Sequence, residues 1–198
     1  HDDKQEEEEI DINNPRVIGG KDYDQAIAYF EEKNYKEAVS CFSKAAEQGH
    51  TESQYRLGVF YSQVQGADQS GTEALKWYKK AAEQGIANAQ NNLGLRYLSG
   101  NGIVQSDMEG ESWIRKAAEQ GLAEAQVNLG YMYLMGERGV AKSDTEAMKW
   151  YKKAAEQGDA SSQEIIDNFN TVLESEQEWV KSAAELLCRI EFGTIPNK

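Results

Sequence analysis

The sequence predicts an all-α solenoid of tandem helix-turn-helix repeats, and three observations predict it. The pentapeptide Ala-Ala-Glu-Gln-Gly recurs at 45–49, 81–85, 117–121 and 154–158, at spacings of 36, 36 and 37 residues. A second series, Leu-Gly-x-x-Tyr, recurs in phase as Leu57, Gly58, Tyr61, then Leu93, Gly94, Tyr97, then Leu129, Gly130, Tyr133. The chain also holds only 2 prolines against 17 glycines, a composition suited to helices with regular punctuation. A period of this length marks a unit that buries its apolar face against its neighbours rather than alone.

Each unit reads as two helices. The first starts near Ser53, Ala89 or Ala125, with Leu and Tyr four residues apart on one face of a 3.6-residue period. The glycine between them costs about 1 kcal/mol against alanine in a helix, so it is expected to admit a close neighbouring helix. The second helix is announced by Ser70, Ser106 and Ser143, each followed three residues later by Glu73, Glu109 or Glu146, the spacing of a capping box. Trp77, Trp113 and Trp150 stand four residues before the alanine pairs, where they are expected to be inter-helix core, and Trp179 has the same relation to Ala183 and Ala184. Gly49, Gly85, Gly121 and Gly158 end the helices, because a left-handed residue there satisfies the last carbonyls without a Cβ clash. The pairs Lys79, Lys80 and Lys152, Lys153 suit a solvated face near the helix C-terminus.

The end units differ. Tyr29, Tyr35, Ala38, Phe42 and Ala45 follow a tighter spacing, with Lys33 and Asn34 as the turn. Later units carry longer turns, Ser99-Gly100-Asn101-Gly102 and Met135-Gly136-Glu137-Arg138-Gly139. At the far end Ile166 and Asn170 replace Leu and Tyr, and Trp179 to Glu191 would form a degenerate final helix whose outer face meets water. The expected organisation is an acidic, disordered tail over 1–20 and one repeat domain over 21–198. Its units fall at about 21–49, 50–85, 86–121 and 122–158, with a terminal cap at 159–198.

Formal net charge is −13, and residues 1–14 hold seven acids against Lys4, or −6, leaving −7 for the rest. Such a chain repels phosphate backbones and anionic membrane surfaces, and no basic stripe reverses this locally, so nucleic acid is not an expected partner. A protein with a basic face is the natural complement. No run approaches the ~18 apolar residues of a membrane span, so membrane insertion is not expected. The chain begins at His1, which fits a bacterial periplasmic or secreted protein if a signal peptide was removed, and a cytoplasmic one otherwise.

Candidate catalytic groups are few. The histidines are His1 and His50, the latter expected in a solvated turn. Glu83, Glu119 and Glu156 recur at one repeat position, which marks a solvated face rather than a unique acid or base. The run Glu6 to Glu9 lacks the alternating ligands and turn glycine of a calcium loop, and Gly100-x-Gly102 has neither the preceding strand nor the following Lys-Ser/Thr of a phosphate loop. No catalytic residue, metal site or cofactor is therefore expected. Cys41 and Cys188 lie several repeats apart, beyond the ~7 Å Cα limit of a disulfide, so two free thiols are expected.

The Leu-Gly-x-x-Tyr series, the Gly-x-Gly-Val-like turn and the Trp-x-x-x-Ala-Ala pattern together resemble Sel-one-like repeats, relatives of tetratricopeptide repeats, over roughly residues 21–191. Gly110, where the family has alanine, and Ser62-Gln63-Val64-Gln65-Gly66, in place of a glycine-rich turn, depart from the pattern. The resemblance implies a right-handed α-solenoid that binds another protein in its concave groove. If the geometry is that of tetratricopeptide arrays, positions two before and two after the core leucine face the groove. These are Tyr55, Val59, Asn91, Leu95, Val127 and Tyr131, with Leu98 and Leu134 one turn onward. The implied function is a non-enzymatic adaptor or inhibitor, with an immunity protein for a bacterial toxic effector as the narrower alternative and a structural spacer as a third. Some cysteine-rich relatives are linked to β-lactam processing, but this chain lacks their repeated cysteine pairs and any Ser-x-x-Lys arrangement.

Overall fold

Helix pairs follow one another along the chain because each Ala-Ala-Glu-Gln-Gly segment stops a helix and turns the backbone in the same way. The computed structural model describes residues 18–63 and 68–191, with side chains omitted at 68–70 and 183–191. Within these lie α1 (Gly20–Glu31), α2 (Tyr35–Glu47), α3 (Thr51–Gln63), α4 (Asp68–Glu83), α5 (Ala87–Ser99), α6 (Asp107–Glu119), α7 (Ala123–Met135), α8 (Asp144–Ala155) and α9 (Ala160–Glu191), with no strand among the described residues. Each helix packs on the next in sequence, with a further contact between α3 and α5, as a solenoid requires.

The stop signal works through backbone hydrogen bonds. Gly49 donates to the Ala46 carbonyl at 3.1 Å and His50 to Ala45 at 3.0 Å, the paired pattern of a Schellman motif. The same pair of bonds recurs at Gly85 and Ile86, at Gly121 and Leu122, and at Gly158 and Asp159. All four glycines have φ between 90° and 102°, which a Cβ would strain. Ser106 and Ser143 cap α6 and α8 by accepting from the amides of Glu109 and Glu146. Their own amides donate to the carbonyls of Tyr97 and Tyr133, so the Leu-Gly-x-x-Tyr tyrosine also anchors the returning turn.

A ladder of glutamines ties three helices at each of the first three junctions. Gln54 donates to the Ala46 carbonyl at 3.1 Å and accepts from Gln84 at 2.7 Å, linking α2, α3 and α4. Gln90 repeats this with Ala82 and Gln120, and Gln126 with Ala118 and Gln157. Gln54, Gln90 and Gln126 are buried, so each needs these partners to offset the loss of water.

The mid-helix glycines set how closely helices approach. A Cβ at Gly58 would lie 2.6 Å from the Tyr78 ring, and one at Gly94 would lie 2.7 Å from Ile114 and 2.8 Å from the Gly110 carbonyl. Gly110 faces Gly94 across the α5·α6 contact, and its own Cβ would meet Leu98 at 2.4 Å. The alanine position of the other units thus holds glycine where the facing helix has come in too close for a methyl group.

Four expectations are corrected. His50 is not a solvated turn residue: it is 5% exposed, its Nδ1 accepts from the Ser53 amide at the start of α3, and its ring lies 4.5 Å from that of Tyr23. Ser70 is not an N-cap, because α4 already begins at Asp68. Trp179 to Glu191 is not a separate helix, since no glycine or proline interrupts residues 159–192 and α9 runs on for 32 residues. Trp179 accordingly leaves the core and is 72% exposed, unlike the buried Trp77 and Trp150, because among the described residues no further helix covers it. The acidic stretch through residue 17, the turn at 64–66 and the Cys188 thiol lie outside the description, while Cys41 is a free thiol. α1 starts at Gly20, inside the stretch assigned to the tail.

Two outcomes follow from these contacts. Gly94→Ala should lower stability by about 1–3 kcal/mol in urea unfolding followed by circular dichroism, because the new methyl group meets backbone that cannot swing aside. Gly130→Ala should cost less, since its Cβ would meet only the Tyr151 ring, at 3.2 Å. Asp159 caps α9 by accepting from Ser162 and Ser161, and these bonds hold its carboxyl below the usual range. A lowered folded-state value stabilises above the unfolded value and is lost as pH falls through the folded one. Asp159→Ala should therefore destabilise at neutral pH, and this difference from the parent protein should shrink as pH falls below the ordinary carboxylate range.

Candidate interaction groove

The first helices of successive units, α3, α5 and α7, carry equivalent residues at the repeat spacing, and a row of pockets runs beside them, one between α3 and the α1–α2 pair and two more along α5 and α7. The first, of about 310 Å³, lies between Phe30, Tyr35 and Phe42 on one side and Tyr55, Arg56, Val59 and Phe60 on the other. The second, of about 260 Å³, is bounded by Ser62, Tyr78, Asn92, Leu95, Arg96 and Ser99. The third, of about 320 Å³, shares Leu95 and Ser99 with it and continues to Asn128, Tyr131, Met132 and Arg138. Leu95 thus stands at the junction of two pockets.

The eight groove positions read from the sequence divide. Tyr55 and Val59 are half-buried and line the first pocket, while Leu95, 37% exposed, and Tyr131, 50% exposed, project into the later ones. Leu98 is buried but forms part of the third pocket's wall. Asn91 is 1% exposed and serves packing: its Oδ1 accepts from Asn128 at 3.0 Å, joining α5 to α7, and its Nδ2 finds no acceptor among the described residues. Val127 and Leu134 pack against the cluster of Ala147, Met148, Tyr151 and Ile166 beneath α8 and α9, outside these pockets. Asn91 turned inward because the facing helix α7 brought an amide to it, which no local pattern announces.

Sequence reasoning missed Phe30, Tyr35 and Phe60, all exposed and all lining the first pocket. It also missed the arginines. Arg96 follows Leu95, and Arg138 sits in a turn with φ 59°, reaching back to donate to the Leu98 carbonyl at 2.8 Å. The signal for the first was available, since a residue beside a groove position shares its edge, but the second depended on the path of a turn. Burial, with Tyr78, Glu52 and Glu124 nearby, pushes the Tyr55 phenol up, so it stays a neutral donor in physiological conditions.

On the opposite edge Lys80, Lys116 and Lys153 lie over the rings of Trp77, Trp113 and Trp150 at 4.0–4.7 Å, covering the tryptophans with their stems. Glu83, Glu119 and Glu156 are exposed on the same helices.

The Sel1 repeat family model matches residues 19–32, 31–50, 51–86, 87–122 and 123–159. The chain belongs to the Sel1 repeat family. Sel1 repeat proteins are generally protein-interaction modules, typically non-enzymatic binding scaffolds. Among solved structures, a protective antigen of uropathogenic Escherichia coli displaying an SLR fold is 39% identical, with a TM-score of 0.68 over 73% of this chain and 32% of the antigen. A Sel1 repeat protein from Oxalobacter formigenes is 37% identical, with a TM-score of 0.69 over 76% of this chain and 61% of that one. Cysteine rich protein B of Helicobacter pylori is 26% identical, with a TM-score of 0.53 over 67% of this chain and 95% of that one. The chain therefore spans less than two thirds of the length of the first two relatives. No curated protein sequence matches it. Among the described residues no helix is long and apolar enough to cross a membrane.

The division of the groove positions is measurable. Asn91→Ala should cost about 1–3 kcal/mol in urea unfolding, because it strands the Asn128 amide, whereas Tyr131→Ala should stay within about 0.5 kcal/mol.

Proposed function

We propose that this Sel1 repeat protein is a non-catalytic adaptor or inhibitor that takes a segment of a partner protein along the α3, α5 and α7 face. The observation that carries this reading is the row of pockets with Leu95 and Tyr131 standing exposed between them. Exposed aromatic and aliphatic side chains flanked by polar groups are the usual anchors of a peptide or helix laid in a groove. The repeat contributes equivalent positions at successive steps, so an elongated ligand can be read several residues at a time.

A neutralising role toward a toxic effector is the narrower reading, supported by the net charge of −13, which would speed encounter with a basic target. It requires a tight one-to-one complex in which the partner's activity is lost. A β-lactam-processing role finds no support in the two cysteines of this chain, and hydrolysis abolished by a single point substitution would revive it.

The deciding experiment is affinity capture from the native host. It compares the parent protein with a Tyr55→Ala, Leu95→Ala, Tyr131→Ala variant whose helicity is checked by circular dichroism. A partner held by the parent and lost from the folded variant is the expected result. A partner held equally by both would place binding elsewhere, and recovery of no partner would favour a structural spacer.

A further inference from the structure

Among the arginines whose side chains are described, Arg56, Arg115 and Arg138 each face a carboxylate, that of Glu52, Glu111 and Asp107 respectively. Arg96 has none. Its guanidinium makes one long hydrogen bond, from Nη1 to the Asn101 carbonyl at 3.5 Å, and lies 5.4 Å from the centre of the Tyr78 ring. Four of its five N–H donors are left for something else. In a chain of net charge −13, an arginine inside a pocket with no ion-pair partner among the described residues is an unmatched charge rather than a common surface pairing.

The rest of that pocket narrows the chemistry. The Tyr78 hydroxyl lies 3.2 Å from Ser62 Oγ and donates to it, Ser62 donates to the Val59 carbonyl at 2.7 Å, and Ser99 donates to the Arg96 carbonyl at 3.3 Å. Each hydroxyl hydrogen is therefore already directed at the protein. The donors that remain are the Arg96 guanidinium and the Asn92 carboxamide, both on α5, and the Asn101 carboxamide in the turn after it, all three lining the pocket. Nitrogen donors on three side chains, with no carboxylate among the described lining residues, suit a small planar anion, which a guanidinium grips through parallel hydrogen bonds.

We infer that the pocket between α3 and α5 binds the side-chain carboxylate of an aspartate or glutamate within an extended segment of the partner protein, with Arg96 as its counter-ion and Asn92 as a second donor. This rests on the groove reading above. The segment is internal rather than a chain end because pockets lie on both sides: the aromatic one at Phe30 and Phe60, and the one at Leu98, Tyr131 and Met132. Those flanking pockets take apolar side chains, so the preferred partner segment places an acid between large apolar residues. A polyanion does not fit, because the third pocket carries Glu137 and the whole chain repels extended negative charge. The partner can still be basic overall, since the anion is recognised at one position.

The test uses fluorescein-labelled, C-terminally amidated peptide pools in which a central Glu, Gln or Lys is flanked on each side by randomised Leu, Phe, Tyr and Val. Binding to the full chain is read by fluorescence polarisation. The Glu pool should bind about tenfold more tightly than the Gln pool, with the Lys pool weaker still, and added salt should shrink the difference. Arg96→Gln should abolish the preference while leaving Gln-pool binding in place, and Arg96→Lys should keep part of it. The second variant separates recognition from folding, because it preserves the charge. Equal binding of the Glu and Gln pools by the parent protein would overturn the carboxylate site, as would a Glu preference that survives Arg96→Gln. A Gln pool with a free C-terminal carboxylate that matches the amidated Glu pool would overturn the internal side chain as its ligand. If pools bind without charge preference yet lose affinity in Tyr131→Ala, the carboxylate site falls and the groove stands. If no pool binds, or binding ignores Tyr131→Ala, the groove reading falls with it.

Discussion

A helix pair can be stacked indefinitely only if the carbonyls at the end of each second helix are satisfied without filling the space the next unit needs. Here that constraint is met twice over at the same place. The glycine after each Ala-Ala-Glu-Gln turns the chain and returns two amides to the alanine carbonyls, and at the first three junctions a buried glutamine from the next unit donates to one of the same carbonyls. The alanine pair can then be fully enclosed, with Ala81, Ala82, Ala117 and Ala118 at or below 1% exposure. Unit follows unit in one orientation because each junction is closed by the same pair of backbone bonds.

The mid-helix glycines act within this frame. With the junctions fixed, the distance between paired helices depends on what stands at their crossing, and Gly58, Gly94 and Gly130 let Tyr78, Ile114 and Tyr151 come against backbone. The Gly94 and Gly110 pair carries the effect furthest. Ile114, where the other units have tyrosine, fits the shorter gap without a hydroxyl to place. Close packing of second helices leaves the outer faces of the first helices free, so the same glycines that hold the units together leave a groove beside them.

What occupies the groove is a matter of charge as much as shape. Several cations of the array are engaged: Lys80, Lys116 and Lys153 lie on tryptophans, and Arg115 hydrogen-bonds both Glu111 and the Tyr133 hydroxyl. Arg138 bridges two units through Leu98 and Asp107. Among the arginines with described side chains Arg96 alone has no carboxylate partner among the described residues, and it lies in a pocket whose hydroxyls are already directed into internal bonds. Specificity in such a groove comes from the polar group left unsatisfied in the free protein and satisfied only by the right ligand.

The repeat, its period, the helix stops and the serine caps of α6 and α8 were legible in the sequence, because each depends on residues within a few positions of one another. The reason for the mid-helix glycine was legible too, since nothing local rewards it. Tertiary structure decided the rest. Asn91 and His50 are polar residues whose burial depends on a partner from another helix, Asn128 in one case and Tyr23 in the other. Trp179 obeys the repeat pattern yet lies in solvent, because a core position exists only where a further helix covers it. Local sequence determines which backbone conformation is cheapest, whereas burial and charge pairing depend on which distant segments meet, and that is settled only when the units stack.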